Sequence, residues 1–320
     1  MVGDMAVMTP GPASRTTPLP LPRASARSPL AGPRTWRTAV LVAAAAGCTI
    51  AFAVAYLLFV HTAGGQLAED GVVHSAQAID RSIVDWAQPL RDVDLVVVLG
   101  AAGLVVALLA LVRGRFALGV TTLVLFLSPL AAAQLLKLYV LERPPGTDGS
   151  GVPGHNSFPS GHVAAATAVV FALAVVLPAR FRTWVLALGA PGVAWVAAAT
   201  VALGWHRLSD TLGGGLLVAA VVCAGAAVVS ARRPDGRRIP PVATTIALAG
   251  PAAVVLGGYA ILSSATSGAA RFGAALVLAA LGTTAVLLLA AGPLRRVNFD
   301  PSGARTRIAG RPGTRRCSGT

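Results

Sequence analysis

The chain has 320 residues, 55% of them hydrophobic and 12% charged, with a formal net charge of +14 and a mean hydropathy of +0.72. Ordinary soluble domains carry about twice that charged fraction, so a disordered chain and a soluble multi-domain enzyme are both excluded. Three cysteines (Cys48, Cys223 and Cys317) are too few for a disulfide framework.

A Pro-, Ser- and Arg-rich segment, 1–37, opens the chain and has the composition of a disordered tail. Beyond it, charged residues bound long apolar runs, and a helix crosses the hydrocarbon layer with roughly 17–25 residues. The runs predict eight transmembrane helices, near 39–60, 95–112, 116–136, 162–179, 184–203, 211–230, 242–262 and 272–291. The first exceeds the roughly 7–15 apolar residues of a signal peptide and reads as a retained helix. The fold class is therefore all-α, a polytopic membrane helix bundle. Its expected organisation is a core over 38–231, two further helices over 232–294 and a second basic tail over 295–320.

Between the first two spans, Val72, Val73, Ala76, Ile79, Ile83, Val84 and Trp86 recur at helical spacing among Asp80, Arg81 and Asp85. That pattern suits a helix lying in the interface, or an ordinary amphipathic packing helix. The connection 143–161 is different. It is rich in Pro and Gly, which predicts a shaped loop joining two spans.

Arginines cluster in the two tails and at 113–115, 180–182 and 232–238, and every one of those clusters falls on one side of an eight-span chain. The opposite side holds Glu69, Asp70, Asp80, Asp85, Asp92, Asp94, Glu142, Asp148 and Asp210. Positive-inside bias then predicts both termini in the cytoplasm. A nucleic-acid stripe would not alternate with membrane spans, so no nucleic-acid partner is expected. Membrane lipid is the expected partner, and the oligomeric state is left open.

Chemistry gathers on the acidic side. Lys137, the single lysine, ends the third span. Arg143-Pro144 follows, then Pro159-Ser160-Gly161-His162 at the start of the fourth span, then His206-Arg-Leu-Ser-Asp210 between the fifth and sixth. Lys137 and Arg143 can neutralise phosphoryl oxygens. Ser160 and Gly161 open a helix, whose free N–H groups bind anions. Imidazole titrates near neutral pH, so one histidine can attack while another donates a proton. His206 and Asp210 are four apart, where a carboxylate can orient the ring. His155 reads as a turn residue, and His61 and His74 as interface residues. No cluster has the spacing of a zinc site.

These three segments resemble the signature of the type 2 phosphatidic acid phosphatase superfamily, integral-membrane lipid phosphatases related in fold to vanadium haloperoxidases. The resemblance covers roughly residues 70–230. It implies a six-helix phosphatase core with no metal and no cofactor. By the same resemblance, His206 forms a phosphohistidine, Asp210 holds its other nitrogen and His162 protonates the leaving group. Lys137, Arg143, Ser160 and Gly161 hold the phosphoryl oxygens. The expected substrate is a lipid phosphomonoester or diphosphate, phosphatidate or polyprenyl diphosphate, met at the extracytoplasmic face.

Two positions depart from the family pattern. Lys137 and Arg143 enclose one residue fewer than usual. Ala199 and Thr200 stand where the family has Ser-Arg, so its third phosphate-binding arginine is missing. Arg207 is the obvious substitute, although on a helix it would point about 100° away from His206. The alternative is a non-catalytic scaffold that binds lipid phosphate and keeps the fold.

Overall fold

The computed structural model describes residues 35–144, 156–231, 241–295, Val297 and Phe299. Residues 1–34, most of the second tail, His155 and the arginines at 232–238 lie outside these residues, and 35–37, read from sequence as tail, belong to the first helix. Nine α-helices and no strand occur among the described residues. They are α1 (Thr35–Ala55), α2 (Ala63–Ala78), α3 (Leu95–Val112), α4 (Phe116–Leu135), α5 (Gly161–Val176), α6 (Arg182–Ala202), α7 (Leu208–Ala231), α8 (Pro241–Ser264) and α9 (Gly268–Leu294). Single π-helical turns extend α1 over Tyr56–Val60 and α4 over Leu136–Val140.

Among the described residues seven segments are long and apolar enough to cross a membrane, and together they take in most of α1 and all of α3, α4, α6, α7, α8 and α9. The eighth expected span, α5, has 16 residues and is shorter than 162–179. Pro178 accounts for this, because it forces Leu177 out of the helical region, to ψ 156°.

Local signals set the helix starts. Thr62 accepts a hydrogen bond from the Gly65 amide, Asp94 from Val96 and Val97, and Ser267 from Ala270. The amphipathic stretch before α3 is not one helix. α2 stops at Ala78, and Asp80 caps a 3-10 segment, Arg81–Asp92, by accepting from Ser82. A side chain that satisfies a new first turn ends the old helix more effectively than apolar periodicity extends it.

α7 is the axis of the bundle, packing against α1, α4, α5 and α9. Small residues allow this closeness, as in membrane helix pairs generally. A Cβ on Gly213 would lie 2.6 Å from the Phe158 ring, and one on Gly214 would lie 2.6 Å from the Ser160 carbonyl. α3 stands at the rim against α4 and α5, with most of its Leu and Val side chains outward. α8 and α9 close the far side: α8 on α1, α9 on α6, α7 and α2. Buried Arg182 locks one end, donating to the carbonyls of Ala174 (2.9 Å) and Val297 (2.6 Å).

The α1–α8 seam gives the first prediction. A Cβ on Gly47 would lie 2.4 Å from the Leu248 carbonyl oxygen, whereas one on Gly257 meets nothing within 4 Å. Gly47→Ala is expected to cost about 1–3 kcal/mol. It should lower the midpoint of thermal unfolding in detergent, and Gly257→Ala should leave that midpoint in place.

Candidate active site

Residues from the connection before α5 and from the turn between α6 and α7 converge on Asp210, in the first turn of α7. Its side chain is fully buried. One oxygen accepts from Arg143 Nη2 at 3.0 Å. The other accepts from Ser157 Oγ at 2.5 Å and from the Arg207 amide at 2.9 Å, and meets His206 Nδ1 at 3.4 Å. The Arg207 contact is the backbone half of a capping box, with the third helical residue reaching back to the cap amide. The Asp210 carbonyl also accepts from the Ser160 amide at 2.8 Å, joining the Pro-Ser-Gly-His segment to α7.

His206 is not on the helix, as four-residue spacing alone suggested. It lies in the turn between α6 and α7. Gly204, at φ +68°, closes α6. The Trp205 amide donates to the Thr200 carbonyl at 3.0 Å and the Gly204 amide to Val201 at 3.0 Å, the two bonds of a Schellman motif. This turn sets the His206 ring 5.9 Å from that of His162, centre to centre. The tautomer with Nδ1–H toward Asp210 leaves the Nε2 lone pair free.

Ser160 caps α5, its hydroxyl accepting from Val163 at 3.4 Å. Its own amide is taken by Asp210. The Gly161 and His162 amides find no acceptor among the described residues and are the N–H groups this helix start offers an anion. Lys137, in the π-helical turn ending α4, lies within electrostatic range of Asp210 and His162.

The loop carrying Arg143 is held at both described ends. Tyr56 Oη donates to the Glu142 carbonyl at 2.7 Å and accepts from the Glu142 amide at 3.0 Å. Asn156 Nδ2 donates to the Leu141 carbonyl at 2.5 Å and to that of Lys137 at 3.3 Å. The Phe158 ring packs against Phe52 and Tyr56 of the first span, at 4.9 and 5.5 Å.

Sequence reasoning passed over α2. Glu69, fully buried, accepts from the Ser209 amide (2.7 Å) and hydroxyl (2.9 Å) and lies 3.6 Å from Arg143 Nη1. Asp70 accepts from Arg207 Nη2 at 2.9 Å and Nε at 3.2 Å. Arg207 is thus paired with Asp70 on α2. Thr200 is fully buried, its hydroxyl donating to the Ala197 carbonyl at 2.9 Å. Arg143 Nε is buried with no hydrogen-bond partner among the described residues. Among those residues no three His, Cys, Asp or Glu side chains cluster as metal ligands.

Residues 93–234 match the family model of the PAP2 superfamily. This match, over less than half of the chain, supports membership of that superfamily. The match includes every residue of the three sequence segments and omits Glu69 and Asp70. No curated protein and no solved structure matches the chain. Membership supports phosphatase activity on phosphorylated substrates in general.

Burial pushes the Glu69 carboxyl above the usual carboxylate range; Arg143 opposes this and Asp210 adds to it. A raised pKa keeps Glu69 neutral to higher pH than an ordinary glutamate, and ionisation then removes one unit of positive charge from the site. Glu69→Gln is therefore expected to tighten orthovanadate binding on the order of tenfold at pH above the Glu69 titration, given a charge a few ångströms away. The two proteins should converge at lower pH. Inhibition constants across pH 4–8 check this.

Proposed function

We propose that the chain is a metal- and cofactor-independent lipid phosphatase working through a phosphohistidine. His206 Nε2 attacks phosphorus, the bond to the leaving oxygen breaks, and His162 gives that oxygen its proton. Lys137, Arg143 and the amides at the start of α5 hold the phosphoryl oxygens, and Asp210 steadies the charged His206 ring. Water then attacks the phosphohistidine and restores His206.

The observation that carries the lipid part is a groove of about 580 Å³ that begins at His162. It runs between α3, α5 and α6, and its other lining residues are apolar or glycine, among them Leu95, Val169, Leu188 and Trp195. A hydrocarbon tail fits such a surface, and the polar group it carries would lie at His162. The substrate class is a lipid phosphomonoester or diphosphate, phosphatidate or polyprenyl diphosphate, drawn from the membrane.

Phosphate release by the purified protein from phosphatidate, lysophosphatidate and polyprenyl diphosphate tests the reading. His206→Ala is expected to reduce release to background, and activity surviving that change would refute the phosphohistidine. Gly192 lines the groove, and a Cβ there meets nothing within 4 Å. Gly192→Phe should cost a long-tailed substrate about tenfold more in kcat/KM than phenyl phosphate, since a buried aromatic ring displaces a few CH2 contacts at roughly 0.8 kcal/mol each. Equal losses on the two would remove the groove from the reading.

One observation favours the second reading, a lipid-phosphate-binding scaffold: Thr200 puts no cation where the family has arginine. A wild type inert on every lipid phosphate, yet protected by them against thermal unfolding, would establish it.

The arginine distribution supports an active site on the extracytoplasmic face, with both termini in the cytoplasm of a multi-pass membrane protein. In intact cells, Gly151→Cys is expected to react with an impermeant maleimide, while Cys317 reacts only after permeabilisation. The reverse pattern would invert the topology.

A further inference from the structure

Arg91 belongs to none of the three segments that carry the chemistry. It lies at the end of the 3-10 segment Arg81–Asp92, between Leu90 and Val93, which both line the groove. Its guanidinium carbon stands 5.9 Å from the Trp205 ring centre, a cation–π distance. The Trp205 ring in turn packs 5.4 Å from that of His162. Among the described residues the guanidinium makes no hydrogen bond or ion pair. An unpaired arginine is thus held on a flat aromatic surface beside the proton donor, at the point where the apolar groove meets the polar site.

The charge around His206 explains what a further cation can do. Arg143, Arg207 and Lys137 face Glu69, Asp70 and Asp210 there. With Glu69 protonated these residues carry one positive charge in excess, and with it ionised they balance. A phosphate dianion adds negative charge that these residues do not fully offset. A diphosphate adds more, and the extra charge lies on the leaving side of the bond that breaks.

We propose that Arg91 holds the leaving group, and that this group is itself a phosphate, so that the preferred substrate is a lipid diphosphate cleaved between its two phosphates. This rests on the assignment of His206 as nucleophile and His162 as proton donor. In the balanced step, the His206 Nε2–phosphorus bond forms and the bond from that phosphorus to the bridging oxygen breaks. The electron pair stays on the bridging oxygen, which takes the proton of His162 and departs as lipid monophosphate. The phosphorus that remains on the lipid then lies beyond His162 toward the groove, on the side of Arg91, and its oxygens suit a bidentate guanidinium. A monoester substrate leaves as an alcohol and gives Arg91 no anion to hold. The tail continues past Leu90 and Val93 into the groove.

The test uses the full chain in detergent micelles with two probes of identical tail, farnesyl diphosphate and farnesyl monophosphate. Wild type is expected to favour the diphosphate in kcat/KM. Arg91→Ala should lower kcat/KM on the diphosphate about tenfold or more, the worth of one charge-assisted contact. On the monophosphate it should cost no more than about threefold, so the preference collapses. Arg91→Lys should recover part of it. Equal losses on the two substrates, or no loss on either, would overturn the assignment while leaving the phosphatase reading intact. A wild type that releases no phosphate from either probe, or a His206→Ala variant that still does, would overturn both.

Discussion

A single buried carboxylate organises this site. Asp210 is fully buried, and an unpaired charge in such a place costs several kcal/mol. The chain answers with four partners: Arg143 and Ser157 from the connection before α5, and the Arg207 amide with His206 from the turn before α7. Each requirement of the carboxylate thereby becomes a positional constraint. Satisfying Asp210 brings the arginine loop, the start of α5 and the nucleophile candidate to one point. Its carbonyl, bonded to the Ser160 amide, adds a backbone link that no side-chain substitution removes.

The remaining architecture serves that convergence. Gly213 and Gly214 let α7 approach the Phe158–Ser160 turn closely enough for the link to form. The Schellman turn at Gly204 sets the direction from which His206 enters. α2 supplies a second tier of carboxylates, and α9 packs behind α2. The two C-terminal helices, for which the sequence offers no functional account, thus support the element that pairs Arg207 and flanks Arg143.

Much of this was legible before any coordinates. Long apolar runs separated by arginines reveal spans because the solvent they cross tolerates little else. Lys137, Arg143, His162, His206 and Asp210 stand out because ionisable residues at span ends are rare in such a chain. Glu69 and Asp70 were not legible as site residues. Their partners are Ser209 and Arg207, 140 and 137 residues away, and no local pattern announces a pairing at that separation. The break at Ile79–Asp80 was missed because apolar spacing is continuous through it while the capping preference of Asp80 is not. Arg207 looked available because a sequence shows a cation but not the carboxylate that occupies it.

The clamps on the arginine loop have a consequence for how its length can vary. Tyr56 fixes Glu142 on one side, and Asn156 ties the other side back to Leu141 and Lys137. Two anchored stems fix the chain on either side of this connection. Lengthening such a loop carries a small entropic penalty, about 0.6 kcal/mol per doubling. Because Arg143 follows Glu142 directly, the Tyr56 anchor keeps its backbone in place whatever the length of the connection beyond it.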